Sequence, residues 1–122
     1  MEISKATFKD VAPYASLAAK SRVSISDTKN TEWFTVNDFT AILGFAGLMK
    51  VAIGYRIKGV FVHEKHRGAG IGNKLTGYLF DLCNDRCANI EVYAYNDKFY
   101  IQNGFEAFGK LPNGAAKLRR HW

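Results

Sequence analysis

Residues 54–82 read GYRIKGVFVHEKHRGAGIGNKLTGYLFDL, and the fold turns on how this stretch is divided. Ile57, Val60, Phe61 and Val62 form a short β-rich apolar run. His63 to Arg67 is polar and charged, so the strand ends there. Gly68, Gly70 and Gly72 then alternate with Ala69 and Ile71. Ile71, Leu75, Tyr78, Leu79 and Leu82 recur at helical spacing, with Asn73, Lys74 and Asp81 off that stripe. The stretch reads as strand, glycine-rich turn, helix.

A turn of this kind suits a phosphate. The first N–H groups of a helix have no partner within it, and the helix dipole places partial positive charge there. An anion satisfies both, and glycines let the backbone approach it closely. Arg67 adds a cation. A plain strand-to-helix turn with a solvated arginine is the alternative, and glycine spacing alone leaves both open. The P-loop pattern fails, because Gly72 is followed by Asn73 and Lys74. A dinucleotide fingerprint needs G-x-G-x-x-G, whereas these glycines run G-x-G-x-G. Glu91 lies about where a ribose-binding acid would stand, yet the turn comes late in a short chain.

Arg67-Gly68-Ala69-Gly70-Ile71-Gly72 resembles the Arg/Gln-x-x-Gly-x-Gly/Ala signature of the GNAT superfamily of N-acetyltransferases. Downstream, Phe99-Tyr100-Ile101-Gln102-Asn103-Gly104-Phe105 is similar to that family's F-Y-x-x-x-G-F segment. The two motifs stand in the family's order, separated by a helix and a strand. The resemblance covers residues 36–110 well and the N-terminal third loosely.

The resemblance implies one domain over residues 1–122. Its fold is α/β, with a mixed, mostly antiparallel central sheet flanked by helices and splayed at the glycine-rich loop. It implies acetyl-CoA as co-substrate and direct transfer of the acetyl group to a primary amine, with no acyl-enzyme. The amides of Gly68, Ala69, Gly70, Ile71 and Gly72 would take the pyrophosphate, assisted by Arg67, Asn73 and Lys74. The backbone of Val60, Phe61 and Val62 would hold the pantetheine arm, and Asn96 matches an asparagine that touches coenzyme A. Tyr100 matches the general acid that protonates the leaving thiolate. The family often carries a glutamate on the central strand, where this chain has Arg56 and Lys58. Glu91 on the next strand is the remaining candidate to orient water or the amine, or it pairs with Lys58.

The 122 residues suit a single core. Hydrophobic residues at 48% and charged residues at 23% are ordinary for a soluble globular chain. No run is long enough to span a membrane, and the polar start lacks a signal-peptide core, so a cytoplasmic protein is expected. Cys83 and Cys87 are expected on the helix near its end, away from the cofactor gap, and read as reduced structural thiols. His63 and His66 lack the order of a helical zinc site, so no metal is expected. The net charge of +6 favours anionic partners. Coenzyme A is one and nucleic acid another, with Lys117, Arg119 and Arg120 grouped near the end.

Along the chain, Glu2 to Thr7 reads as a strand. Asp10 is the expected N-cap of a helix running to about Lys20. Residues 22–32 are polar: a surface connection, or, as the resemblance implies, a short cover over an acceptor site that is open or completed by a second subunit of a homodimer. Trp33–Val36 and Phe39–Met49 read as strands joined by a tight Asn37-Asp38 turn, with a bulge at Gly44 or Gly47. After the long helix come a strand over residues 88–95, a short helix over 98–103 ended by Gly104, and a hairpin turning at Pro112-Asn113-Gly114. Two further functions stay open: a non-catalytic acyl-CoA-binding regulatory module, and a nucleic-acid-directed modifier using the same cofactor.

Overall fold

The strands are β1 (Glu2–Ala6), β2 (Thr31–Asn37), β3 (Ile42–Lys50), β4 (Tyr55–Val62), β5 (Ile90–Ala94), β6 (Glu106–Lys110) and β7 (Ala116–Arg120). The helices are α1 (Phe8–Val11), α2 (Ala15–Lys20), α3 (Ile71–Asp85) and α4 (Lys98–Gln102). They come from a computed structural model that describes residues 2–26, 29–39 and 41–122. The strands form one sheet in the order β1-β2-β3-β4-β5-β7-β6. Only the β4–β5 pair is parallel, and α3 is its crossover. This is the mixed, mostly antiparallel sheet flanked by helices that the sequence leads one to expect.

Two apolar clusters lie on opposite faces of the sheet. On one, α3 packs Ile71, Leu75, Leu79 and Cys83 onto Phe34, Leu48, Ile57, Ile90, Val92 and Leu118. On the other, Val11 and Ala18 cover Trp33, Phe45 and Phe61. The second cluster draws on β2, β3 and β4 and takes no residue from β5, β6 or β7. The face of those three strands opposite α3 therefore has no helix over it among the described residues.

The structure corrects several local expectations. Thr7, not Asp10, is the N-cap of α1. Asp10 stands at the third helical position and accepts hydrogen bonds from the Thr7 N–H at 2.8 Å and hydroxyl at 3.1 Å. A short carboxylate there reaches back to the cap. A 3-10 turn over Ala12–Tyr14, with Pro13 in it, then separates α1 from α2, because proline supplies no N–H to continue a helix. The β2–β3 connection is wider than an Asn37-Asp38 turn. Asn37 still belongs to β2, β3 begins only at Ile42, and Phe39 is exposed. Thr40 lies outside the described residues. The Asp38 carboxylate shapes this loop by accepting from the Ala41 N–H at 2.9 Å.

On α3 the buried face is wider than the expected stripe. Thr76, Phe80 and Cys83 join it, whereas Tyr78 is exposed and lays its ring beside Phe34 at 5.5 Å. Cys87 lies past the helix end, not on it, with φ +53°. There the Cys87 N–H donates to the Asn84 carbonyl and the Ala88 N–H to the Cys83 carbonyl, which is a Schellman close. Gly104 ends α4 in the same way, with its N–H on the Ile101 carbonyl and the Phe105 N–H on the Tyr100 carbonyl.

Candidate active site

β4 and β5 pair only at Tyr55↔Ile90, Arg56↔Glu91 and Ile57↔Val92. Beyond that point β4 continues to Val62 with no strand partner on its β5 side among the described residues. A bulge accounts for the parting. Against β3, Gly47 pairs with Lys58 and Phe45 with Phe61, so two residues of β4, Gly59 and Val60, oppose the single Ala46. Gly59 has φ +62°. Such a bulge bends and twists its strand, and here it falls immediately after the last β4–β5 pair. The bulge thus falls at Gly59 and Val60 and not at Gly44 or Gly47, and its sequence signal is the glycine between Lys58 and Val60 in a β-rich run.

The open end of this fork leads into the glycine loop. A 3-10 turn over Glu64–His66 follows β4, and α3 starts at Ile71 with Gly70 as its N-cap. Gly68 and Gly70 have φ +85° and +77°, a backbone that side-chain-bearing residues adopt only at a cost. A Cβ at either would meet nothing within 4 Å, so the loop faces open space. A cavity of about 390 Å³ lies there, lined by Val62, His66, Arg67, Gly68, Gly70, Ile71, Gly72 and Asn73. The first turn of a 15-residue helix, whose leading N–H groups have no partner within the helix, thus borders this hollow. Ala69 is exposed in the same loop, and Lys74 stands one residue past Asn73 on the exposed side of the first turn.

Arg67 lines this cavity but also ties two segments together. Its Nε donates to the Val62 carbonyl at 3.1 Å and an Nη to the Ser21 hydroxyl at 2.6 Å. Ser21 follows α2, so Arg67 links the end of β4 to the chain beyond the N-terminal helices. Nothing local in the sequence pairs residues so far apart. Asn96 is exposed and accepts from the Lys98 N–H at 3.3 Å, supporting the start of α4.

Tyr100 packs against the cluster on the α3 side of the sheet. Its ring packs edge-on against Phe80, Phe99 and Phe105 at 6.2, 5.4 and 5.4 Å. Burial pushes its phenol pKa above the ordinary value, so it keeps its proton at neutral pH. Glu91 lies on the other face of the sheet, in the paired arm of the fork. Its partner is Arg56 at 3.6 Å and not Lys58, whose Nζ donates to the Ser26 hydroxyl at 3.2 Å. In a parallel pair Arg56 and Glu91 are register neighbours, which strand order alone decides. Cys83 is buried, which raises its thiol pKa to about 11 and keeps it out of nucleophilic work. Among the described residues no cluster of His, Cys, Asp and Glu is arranged to hold a metal ion.

The profile of the Acetyltransferase (GNAT) domain family matches residues 29–107, more than half of the chain. The chain belongs to the GNAT acetyltransferase family. It is a GNAT-type N-acetyltransferase, and acetyl-CoA is the co-substrate of this family. No curated protein sequence matches it. Solved structures match its fold closely at low identity. Escherichia coli ElaA is 16% identical with a TM-score of 0.79, over 99% of this chain and 100% of that one. Rv2747 from Mycobacterium tuberculosis, solved with CoA, is 12% identical with a TM-score of 0.80, over 100% of this GNAT domain and 99% of that chain. N-acetylglutamate synthase from Neisseria gonorrhoeae, also solved with coenzyme A, is 15% identical with a TM-score of 0.71. It is matched over 98% of this GNAT domain and 32% of its own chain. Among the described residues of the GNAT domain, no helix is long and apolar enough to cross a membrane.

Proposed function

We propose that the fork between β4 and β5 receives acetyl-CoA and passes its acetyl group directly to a primary amine. The observation that carries this reading is the parallel ladder that stops at Ile57↔Val92 beside an open, glycine-lined helix N-terminus. The N–H groups of Gly68, Ala69, Gly70, Ile71 and Gly72 hold the pyrophosphate, with Asn73 and Lys74 assisting and Arg67 adding charge from the cavity wall. The backbone of Val60, Phe61 and Val62 binds the pantetheine arm as an added strand. Asn96 meets the arm from beyond the end of β5.

The thioester then lies near the last β4–β5 pair, where the two faces of the sheet communicate. The amine nitrogen attacks the thioester carbonyl carbon; a C–N bond forms and the C–S bond breaks. The surplus amine proton leaves to Glu91, directly or through water. The departing thiolate takes the phenol proton of Tyr100, which is regained from solvent.

Thermal unfolding with acetyl-CoA, free CoA and NADH tests the cofactor assignment. A ligand at about 100 times its dissociation constant adds roughly 2.7 kcal/mol, a rise on the order of 5 °C for a domain of this size. Acetyl-CoA and CoA should give that rise and NADH should not. Tyr100→Phe should lower turnover about 100-fold with little change in acetyl-CoA affinity. Unchanged turnover at saturating acetyl-CoA rejects the acid role.

A further inference from the structure

A second cavity, of about 340 Å³, opens on the uncovered face of the sheet at the closed end of the fork. Ile53 and Phe108 form apolar walls; Arg56, Arg119 and His121 bring cationic or titratable groups; Glu91 is the carboxylate among the lining residues. Water-facing apolar surface is prominent here, with Ile53 74% and Phe108 36% exposed. Phe108 is placed by a second bulge. Ala107 pairs with Leu118 and Gly109 with Lys117, so Phe108 is the extra residue of β6. Bulges re-aim side chains, and this one lays the Phe108 ring under Arg119 at 4.8 Å and Lys117 at 5.3 Å.

The charges are only partly matched. Arg56 and Glu91 meet at 3.6 Å, too far for a hydrogen bond, and Arg56 Nε is buried without an acceptor. The other face of the Arg56 guanidinium lies on Tyr93 at 4.4 Å. Arg119 stands opposite Glu91 on one side and Glu106 on the other, yet rests on a ring. Lys117 likewise lies over Tyr93 and Phe108. Arg56, Lys117 and Arg119 thus stand beside two carboxylates, Glu91 and Glu106, of which Glu91 lies nearer the fork.

We infer that this cavity is the acceptor pocket and that it takes a small amine carrying both a carboxylate and an apolar body. The inference rests on the fork reading above. Glu91, one register pair from the end of the β4–β5 ladder, receives the ammonium. Arg119 and His121, farther out, receive the carboxylate by charge-assisted hydrogen bonds. Ile53 and Phe108 bury the body, removing exposed apolar surface from water. A neutral amine leaves the outer cations unpaired, and a polycation is repelled by them.

The test is calorimetric binding to the CoA-saturated protein of L-phenylalanine and L-leucine against their carboxamides. The acids should bind about tenfold or more tightly than the amides, the worth of one hydrogen bond to a charged group. Arg119→Gln should abolish that preference while the midpoint rise given by acetyl-CoA persists. Equal binding of acid and amide, binding of neither, or a preference that survives Arg119→Gln overturns the pocket assignment. If acetyl-CoA raises no midpoint in the unsubstituted protein, it is the fork reading that has failed; a normal rise with no acid preference sinks this inference alone.

Discussion

β3 and β7 are both interior strands of one sheet, yet their burial differs. In β3 every residue from Leu43 to Leu48 is buried. In β7, Ala116 and Leu118 are buried, Lys117 is partly open and Arg119 is exposed. The reason is coverage. β2, β3 and β4 lie between α3 on one side and α1 with α2 on the other, while β5 and β7 are covered on one side only and β6 is exposed along its length. Two-sided burial demands a continuous apolar run; one-sided burial demands alternation. The polar and cationic side chains that could meet an acceptor therefore gather where alternation leaves a face free. The fork lies at the border of the two halves.

The largest test of this contrast pairs one substitution from each half. Phe45 is fully buried and its ring meets Trp33 at 6.0 Å and Phe61 at 5.3 Å. Phe45→Ala should cost about 3–5 kcal/mol in urea unfolding. Lys117→Ala, on the free face, should cost about 1 kcal/mol or less. A comparable loss from both would mean that the uncovered face is structural after all.

The seam between the halves comes next. Gly54 has φ +90°, and a Cβ there would run into the Asn89 carbonyl, which also accepts the Tyr55 N–H. Gly54→Ala should cost about 1–3 kcal/mol and lower the unfolding midpoint. A neutral result would show that the start of β5 is free to shift away from β4.

The smallest effect concerns how α3 is pinned to the doubly covered half. Glu32 on β2 accepts two hydrogen bonds from Arg86 at 2.6 and 2.9 Å. Those bonds, chiefly, hold its carboxyl at about 2 against an ordinary 4.5. A depressed folded pKa means that the stabilisation is complete above pH 4.5 and is lost as pH falls toward 2. Glu32→Gln should flatten that acid limb of the unfolding midpoint while costing about 1 kcal/mol or less at pH 7, since such a pair is partly solvated. An unaltered acid limb would assign the pH dependence to other carboxylates.

Much of the fold was legible because its signals are local. Alternation along residues 90–94, helical spacing from Ile71 and the glycines at 68, 70 and 104 each act within a few residues. Thr7 and Asp10 are both good capping residues, and only the observed bonds distinguish cap from third position. The buried face of α3 exceeds its helical stripe because Phe80 is drawn to Phe105 at 5.1 Å, a contact between segments that helical spacing does not contain.

By itself, the sequence determined the strand–loop–helix unit, the family to which it belongs and the side chains available for chemistry. Tertiary structure alone decided that Glu91 meets Arg56, that Arg67 reaches Ser21, and that the bulge at Gly59 and Val60 parts β4 from β5. It also decided which face of β5 and β7 stays open. These depend on which strands become neighbours, in what register and beneath which helix. Such pairings join residues far apart in the chain, so no local periodicity or turn preference can specify them.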